Sequence, residues 1–130
     1  MQMMNHPNIV KCYGFIENSK IEKEENSQGA YIIMEYVGGQ TLKKMLQKKE
    51  FAGLGFPEDM TLKIFSQLVS GFAYMHKKGI VHRDVKPENI LINEDLTVKI
   101  IDLGQSKART LMQTINQGTP LYNAPEVFTD

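Results

Sequence analysis

The sequence predicts an α+β fold. Three observations carry that reading. Two apolar runs of strand length, residues 9–16 and 30–36, stand near the N-terminus. One long run, residues 58–78, repeats its apolar residues at helical spacing. Three short apolar runs follow at residues 80–81, 90–92 and 98–101.

Taken in order, the first two runs flank a polar stretch, residues 17–29, rich in Glu, Lys, Asn and Ser. That composition predicts a solvated hairpin loop. After Tyr36, Val37-Gly38-Gly39 breaks the chain. Thr41 then caps a short helix reaching to about Lys49, its hydroxyl accepting an orphan backbone N–H. Two glycines make residues 51–56 a loop. Pro57 suits the first helical turn, and Glu58 and Asp59 suit the positive end of the helix dipole.

In the long helix, Leu62, Phe65, Leu68, Val69, Phe72 and Met75 form one stripe, expected to pack in the core. Lys77, Lys78 and Gly79 end the helix. Asn93-Glu94-Asp95 turns the chain between the last two strands.

Composition bounds the function. The 130 residues suit one modest domain, and 42% hydrophobic with 23% charged residues is ordinary for a soluble globular protein. Lys and Arg total 15 against 15 Asp and Glu, so nothing argues for nucleic acid or an anionic membrane. A single cysteine, Cys12, excludes an internal disulfide and fits a reducing compartment. No run reaches transmembrane length and the N-terminus is not a signal peptide, which points to a cytoplasmic or nuclear protein.

The chemistry concentrates in His82-Arg83-Asp84-Val85-Lys86-Pro87-Glu88-Asn89, a loop between two short strands. Thirteen positions after Asn89 comes Asp102-Leu103-Gly104, at the end of an apolar strand. A loop Asp beside a loop Asn offers oxygen ligands to a hard cation such as magnesium. Asp84 is then left to face a hydroxyl, with Lys86 as a point charge for phosphate.

These residues resemble the protein kinase family. Asp84 matches the catalytic-loop base and Asn89 the metal-binding Asn. Asp102-Leu103-Gly104 matches the metal-binding triplet, with Leu103 where Phe is most common. Residues 118–126, ending in Ala124-Pro125-Glu126, match the end of the activation segment. Upstream, residues 6–10 look like the turn between the regulatory helix and the fourth strand, and residues 33–37 like the fifth strand and hinge. The resemblance covers nearly the whole chain in the family's order and spacing.

The resemblance implies a partial kinase fold. Residues 1–36 would be the end of the small-lobe antiparallel sheet, and residues 37–130 the hinge and the first part of the mainly helical large lobe. It implies ATP and Mg²⁺ as cofactors and a protein substrate. Asp84 would orient the substrate hydroxyl, Lys86 would stabilise the transferring phosphoryl, and Asn89 and Asp102 would hold magnesium. The backbone of Glu35 and Val37 would bond the adenine, with Met34 behind it, Leu91 beneath it and Thr41 near the ribose. Lys86 and Thr119 both point to serine or threonine as acceptor, Thr119 bridging Asp84 and Lys86. Arg83 and Lys107 would pair with a phosphothreonine, Thr114 first and Thr110 second. Cys12 would be a buried, inert thiol, and His6 a turn residue bonded to nearby backbone.

The chain holds no Gly-rich phosphate loop and no counterpart of the third-strand lysine or the regulatory-helix glutamate. It also lacks the large-lobe helices that buttress the catalytic loop. The expectation is that these 130 residues alone transfer no phosphate at a useful rate. A non-catalytic, kinase-derived binding module is the alternative, set against the retention of Asp84, Lys86, Asn89 and Asp102 together.

Overall fold

The computed structural model describes residues 4–19, 29–101, 107–108 and 119–125. They form a mixed α+β structure of small antiparallel sheets and helices. Strands β1 (Cys12–Ser19) and β2 (Gly29–Met34) pair as an antiparallel hairpin. The tip of the expected hairpin loop lies outside the described residues.

The first strand starts later than its apolar pattern implies. Ile9 does not join the hairpin. It makes an isolated parallel bridge with Ile100. The Val10 N–H donates to Ile100 O at 2.9 Å, and the Ile100 N–H donates to Asn8 O at 2.8 Å. Apolar burial decides this: Ile9 packs with Met4, Met75 and Ile100 in one core cluster.

Strand β3 (Gln40–Thr41) pairs with β5 (Ile90–Ile92), which pairs with β6 (Val98–Ile100). Gly39 enters this sheet at φ 93°, and a Cβ there would lie 2.4 Å from Ile92 O. Only glycine fits that approach. Strand β4 (Ile80–Val81) pairs with β7 (Lys107–Ala108). Between β5 and β6 the expected turn forms, with the Asn93 N–H on Thr97 O at 3.0 Å and the Leu96 N–H on Asn93 O at 3.0 Å.

Helix α1 (Leu42–Leu46) is capped as expected, the Lys44 N–H donating to Thr41 Oγ1 at 3.2 Å. It stops at Gln47, short of Lys49. Leu42 and Met45 are its buried anchors, and residues 47–50 are exposed, so nothing repays a further turn. Helix α2 (Glu58–Lys77) begins one residue after Pro57, which is extended at φ −52° and ψ 151° and so stands outside the first turn. Gly79 ends the helix at φ 72°.

The α2 stripe divides into two faces. Ile64, Gly71 and Met75 are buried, with Leu68 and Phe72 half-buried beside them. Leu62, Phe65 and Val69, expected in the core, are 60%, 61% and 49% exposed. They lie on a different side of the helix from Ile64, Gly71 and Met75, and only that second side meets the sheets. Gly71 permits the close approach: a Cβ there would sit 2.7 Å from Ile100 Cδ1 and 3.4 Å from Asn8 O.

One core cluster joins Leu42, Met45 and Ile64 to Ile90, Ile92 and Val98. Each such buried side chain contributes about 1.5–3 kcal/mol. Two polar side chains, buried Asn8 and half-buried Gln67, cross-brace the same region. The Asn8 amide donates to Gln67 Oε1 and to Val98 O, both at 3.0 Å. The Gln67 amide donates to Leu96 O at 2.8 Å, and its Oε1 also accepts from the Val98 N–H at 3.0 Å. His6 closes its turn as expected, its Nδ1 accepting from the Asn8 N–H at 3.1 Å. Cys12, expected buried, is half-exposed, with its thiol 3.5 Å from Gly14 O. No helix among the described residues is long and apolar enough to cross a membrane.

Candidate active site

The loop between β4 and β5 carries the site. It is held by its own 3-10 turn, Pro87–Asn89, and by Ile101 just after β6. Arg83 takes φ 70°, a strained value for a residue with a side chain. That reversal returns the Asp84 N–H onto His82 Nδ1 at 3.2 Å. Nδ1 therefore accepts, and the ring proton sits on Nε2, which donates to Ile101 O at 2.9 Å. The Ile101 N–H in turn donates to Asn89 O at 2.9 Å. Both backbone groups of Ile101 are thus bonded to the loop, one through a ring that is only 2% exposed.

Asp84 is 3% exposed, yet its carboxylate is fully partnered. Oδ2 lies 2.7 Å from Lys86 Nζ and accepts from Asn89 Nδ2 at 3.0 Å. Oδ1 accepts from Thr119 Oγ1 at 2.8 Å. The same threonine oxygen accepts from Lys86 Nζ at 2.9 Å. Asn89 Nδ2 also donates to Asp84 O at 2.9 Å. Both amide hydrogens of Asn89 are committed to Asp84, which turns its Oδ1 away from that residue.

The Lys86 hydrogen bond holds the Asp84 carboxyl below its ordinary 3.8. Burial opposes the shift, while Thr119 and Asn89 add to it. A carboxylate depressed in the fold stabilises it above the unfolded value, and that contribution is lost as pH falls through the folded one. Unfolding by urea at a series of pH values should therefore show stability falling below about pH 4. The fall should be shallower in Asp84→Asn. An identical acid limb in both proteins would contradict the assignment.

The structure brings four of the sequence candidates together: Asp84, Lys86, Asn89 and Thr119. Thr41 and Leu91 are cross-strand partners in the β3–β5 ladder, Leu91 two residues after Asn89. Leu91 is half-buried, while Met34, expected to pack behind the adenine, is 52% exposed. Glu35 and Val37 follow β2 outside any regular element. Arg83 is half-buried within the loop. Lys107 is placed by its backbone pairing with Val81. Asp102, Leu103, Thr110, Thr114 and Glu126 lie outside the described residues. Sequence alone assigned no role to His82, although an imidazole directly before the loop's Arg and Asp was the available signal.

The protein kinase domain profile matches residues 1–130. The chain belongs to the protein kinase family. It is 36% identical over 135 residues to CBL-interacting protein kinase 26 of Oryza sativa subsp. japonica, covering 99% of this chain and 24% of that protein. It is 35% identical over 133 residues to serine/threonine-protein kinase chk-2 of Caenorhabditis elegans, covering 100% of this chain and 26% of that protein. Serine/threonine-protein kinase kin-29 of Caenorhabditis briggsae is 39% identical over 128 residues, covering 97% of this chain and 14% of that protein. The kinase chain thus spans about a quarter or less of the length of these curated relatives.

Protein kinases typically use ATP and Mg²⁺. Asn89 offers a neutral amide oxygen beside a buried carboxylate, a donor type that suits a hard cation retaining water and phosphate ligands. Among the described residues of this kinase chain, no three His, Cys, Asp or Glu side chains converge on one point.

Proposed function

We propose that this chain is the central part of a serine/threonine kinase domain that phosphorylates protein substrates from ATP. Residues 1–36 would be the end of the small-lobe sheet, and residues 37–130 the hinge, catalytic loop and activation segment. One observation carries the reading: Asp84, Lys86, Asn89 and Thr119 converge in a single hydrogen-bonded cluster.

In this reading Asp84 orients the acceptor hydroxyl. Its depressed pKa makes it a weak base, so alignment rather than early proton removal is its main contribution. Lys86, held between Asp84 and Thr119, places a positive charge where phosphoryl oxygens gather. Asn89 and Asp102 hold magnesium, which when bound neutralises phosphate charge. The backbone of Glu35 and Val37 faces adenine, with Met34, Thr41 and Leu91 around it. Arg83 and Lys107 answer a phosphorylated Thr114. Thr119 favours serine or threonine as acceptor.

The 130 residues by themselves are proposed to be inactive. They contain no Gly-x-Gly-x-x-Gly run, and α2 exposes Leu62, Phe65 and Val69. The test is to incubate the longest expressed form of the protein with ATP, magnesium and a mixture of Ser, Thr and Tyr peptides. Phosphoserine or phosphothreonine is expected. No transfer, or phosphotyrosine alone, would overturn the proposal.

A further inference from the structure

Glu35 stands just after β2, and its carboxylate is more heavily engaged than a surface residue needs. Oε1 accepts from the Lys11 N–H at 2.8 Å and from Lys99 Nζ at 2.6 Å. The Glu35 N–H returns a bond to Lys11 O at 2.9 Å. Both partners of the ion pair are mostly shielded, with side chains 20% exposed for Lys99 and 22% for Glu35. Burial pushes the Glu35 carboxyl up, but the Lys99 and Lys11 donors outweigh it, and the net shift is downward. One oxygen therefore fastens three segments: the residue before β1, the residue after β2, and the middle of β6.

The register of β5 and β6 says which face Lys99 serves. Ile90 and Ile92 are buried, as are Val98 and Ile100, so these four face the core. Leu91 and Lys99 alternate with them and are directly paired, so they share the opposite face. Thr41 is paired with Leu91 on its other side. Lys99 thus projects from the same face as Leu91 and reaches across to the segment after β2.

We propose that Lys99 is a positioning residue for nucleotide: its ammonium ties the Glu35 carboxylate to β6 and so fixes the distance between the Glu35–Val37 backbone and Leu91. The inference rests on the kinase reading, in which adenine lies between those groups. Neither Lys99 nor the Glu35 side chain touches the reacting atoms. Their effect is on how well the slot is preformed, and the energy of preforming a site appears in affinity.

The experiment is steady-state kinetics on the longest expressed form, with ATP and peptide varied separately, and Mg·ADP affinity measured in parallel. Lys99→Met should raise KM for ATP and Kd for Mg·ADP about tenfold, within the coupling expected of a shielded ion pair. It should leave the peptide KM unchanged and kcat within about twofold. Lys99→Arg, which keeps the charge and a donor, should recover most of the loss. Glu35→Gln keeps an acceptor for the Lys11 N–H and should shift KM for ATP in the same direction by less; it stands in for Lys99→Met should that variant fail to fold. Unchanged nucleotide affinity in the variants, with a wild type that binds Mg·ADP, sinks the positioning role alone. So does a fall in kcat with KM for ATP unchanged, since that marks only a loss of folded enzyme. A wild type that binds no nucleotide sinks the kinase reading and this proposal with it.

Discussion

Asp84→Asn should lower kcat for peptide phosphorylation by about 10²–10⁴-fold, the range for losing a positioned acid–base group. The substitution keeps the size of the side chain and one acceptor oxygen. It removes the charge that Lys86 meets at 2.7 Å and that the Thr119 hydroxyl addresses at 2.8 Å. An amide NH₂ in place of either oxygen would face a donor, either Lys86 Nζ, the Asn89 amide or Thr119 Oγ1. The whole cluster would have to re-form. The acceptor hydroxyl would then meet a group that holds it less well and takes no proton. In the proposed role Asp84 addresses the hydroxyl and not the base or ribose, so KM for ATP should stay close to wild type. That split separates a chemical role from general damage. Stability will also fall, since Lys86 loses a shielded partner. Thermal unfolding should therefore accompany the kinetics, to confirm that the measured enzyme is folded. Transfer within about threefold of wild type, by a folded variant, would remove Asp84 from the mechanism.

The reading of local elements from sequence succeeded where a single residue type dictates geometry. Thr41 caps α1 because its hydroxyl can reach the Lys44 N–H. Gly79 stops α2 because it tolerates φ 72°. Asn93 to Thr97 turns the chain as its polar residues imply. Periodicity identified α2 but misjudged its faces. An apolar stripe shows that a helix has a side to bury, and it does not show which neighbour arrives. Leu62, Phe65 and Val69 match the helical spacing as well as Ile64 and Met75 do, yet only the latter pair meets the sheets. Gly71 gives no hydrophobic signal at all, although its missing Cβ is what admits Ile100.

The site was legible by a different route. Asp84, Lys86 and Asn89 follow from residue types in one loop and from motif resemblance, Thr119 from the resemblance alone, and their convergence depends on a contact spanning 35 positions between Asp84 and Thr119. Local pattern cannot supply such a contact. The same holds for Asn8 with Gln67, 59 positions apart, and for Glu35 with Lys99, 64 apart. Each pair joins polar residues that, read locally, belong on a solvated surface. Burial made them structural, and burial is a property of the assembled fold.

His82 shows how such long-range bonds connect stability to the site, and its loss should have the largest effect on folding. His82→Ala should cost about 3–5 kcal/mol, combining the cavity left by a large buried side chain with two backbone groups that lose their partner. The ring is 2% exposed and lies edge-on to Phe72 on α2, with centroids 6.0 Å apart. Its removal strips the Asp84 N–H of Nδ1 and the Ile101 carbonyl of Nε2. His82→Phe separates the two contributions, because it refills most of the space and restores neither bond. Urea denaturation should place it between wild type and His82→Ala, about 1–3 kcal/mol below wild type. Activity should fall in both variants even under conditions where each remains folded. Without the ring, the Asp84 backbone is held to the strand that leads to Asp102 only indirectly, through Asn89, and a displacement of about 1 Å at a reacting group is enough to cost ~10²-fold in rate. A fully active His82→Phe protein would show that packing alone positions Asp84. In that case the two ring bonds would serve only to satisfy buried backbone.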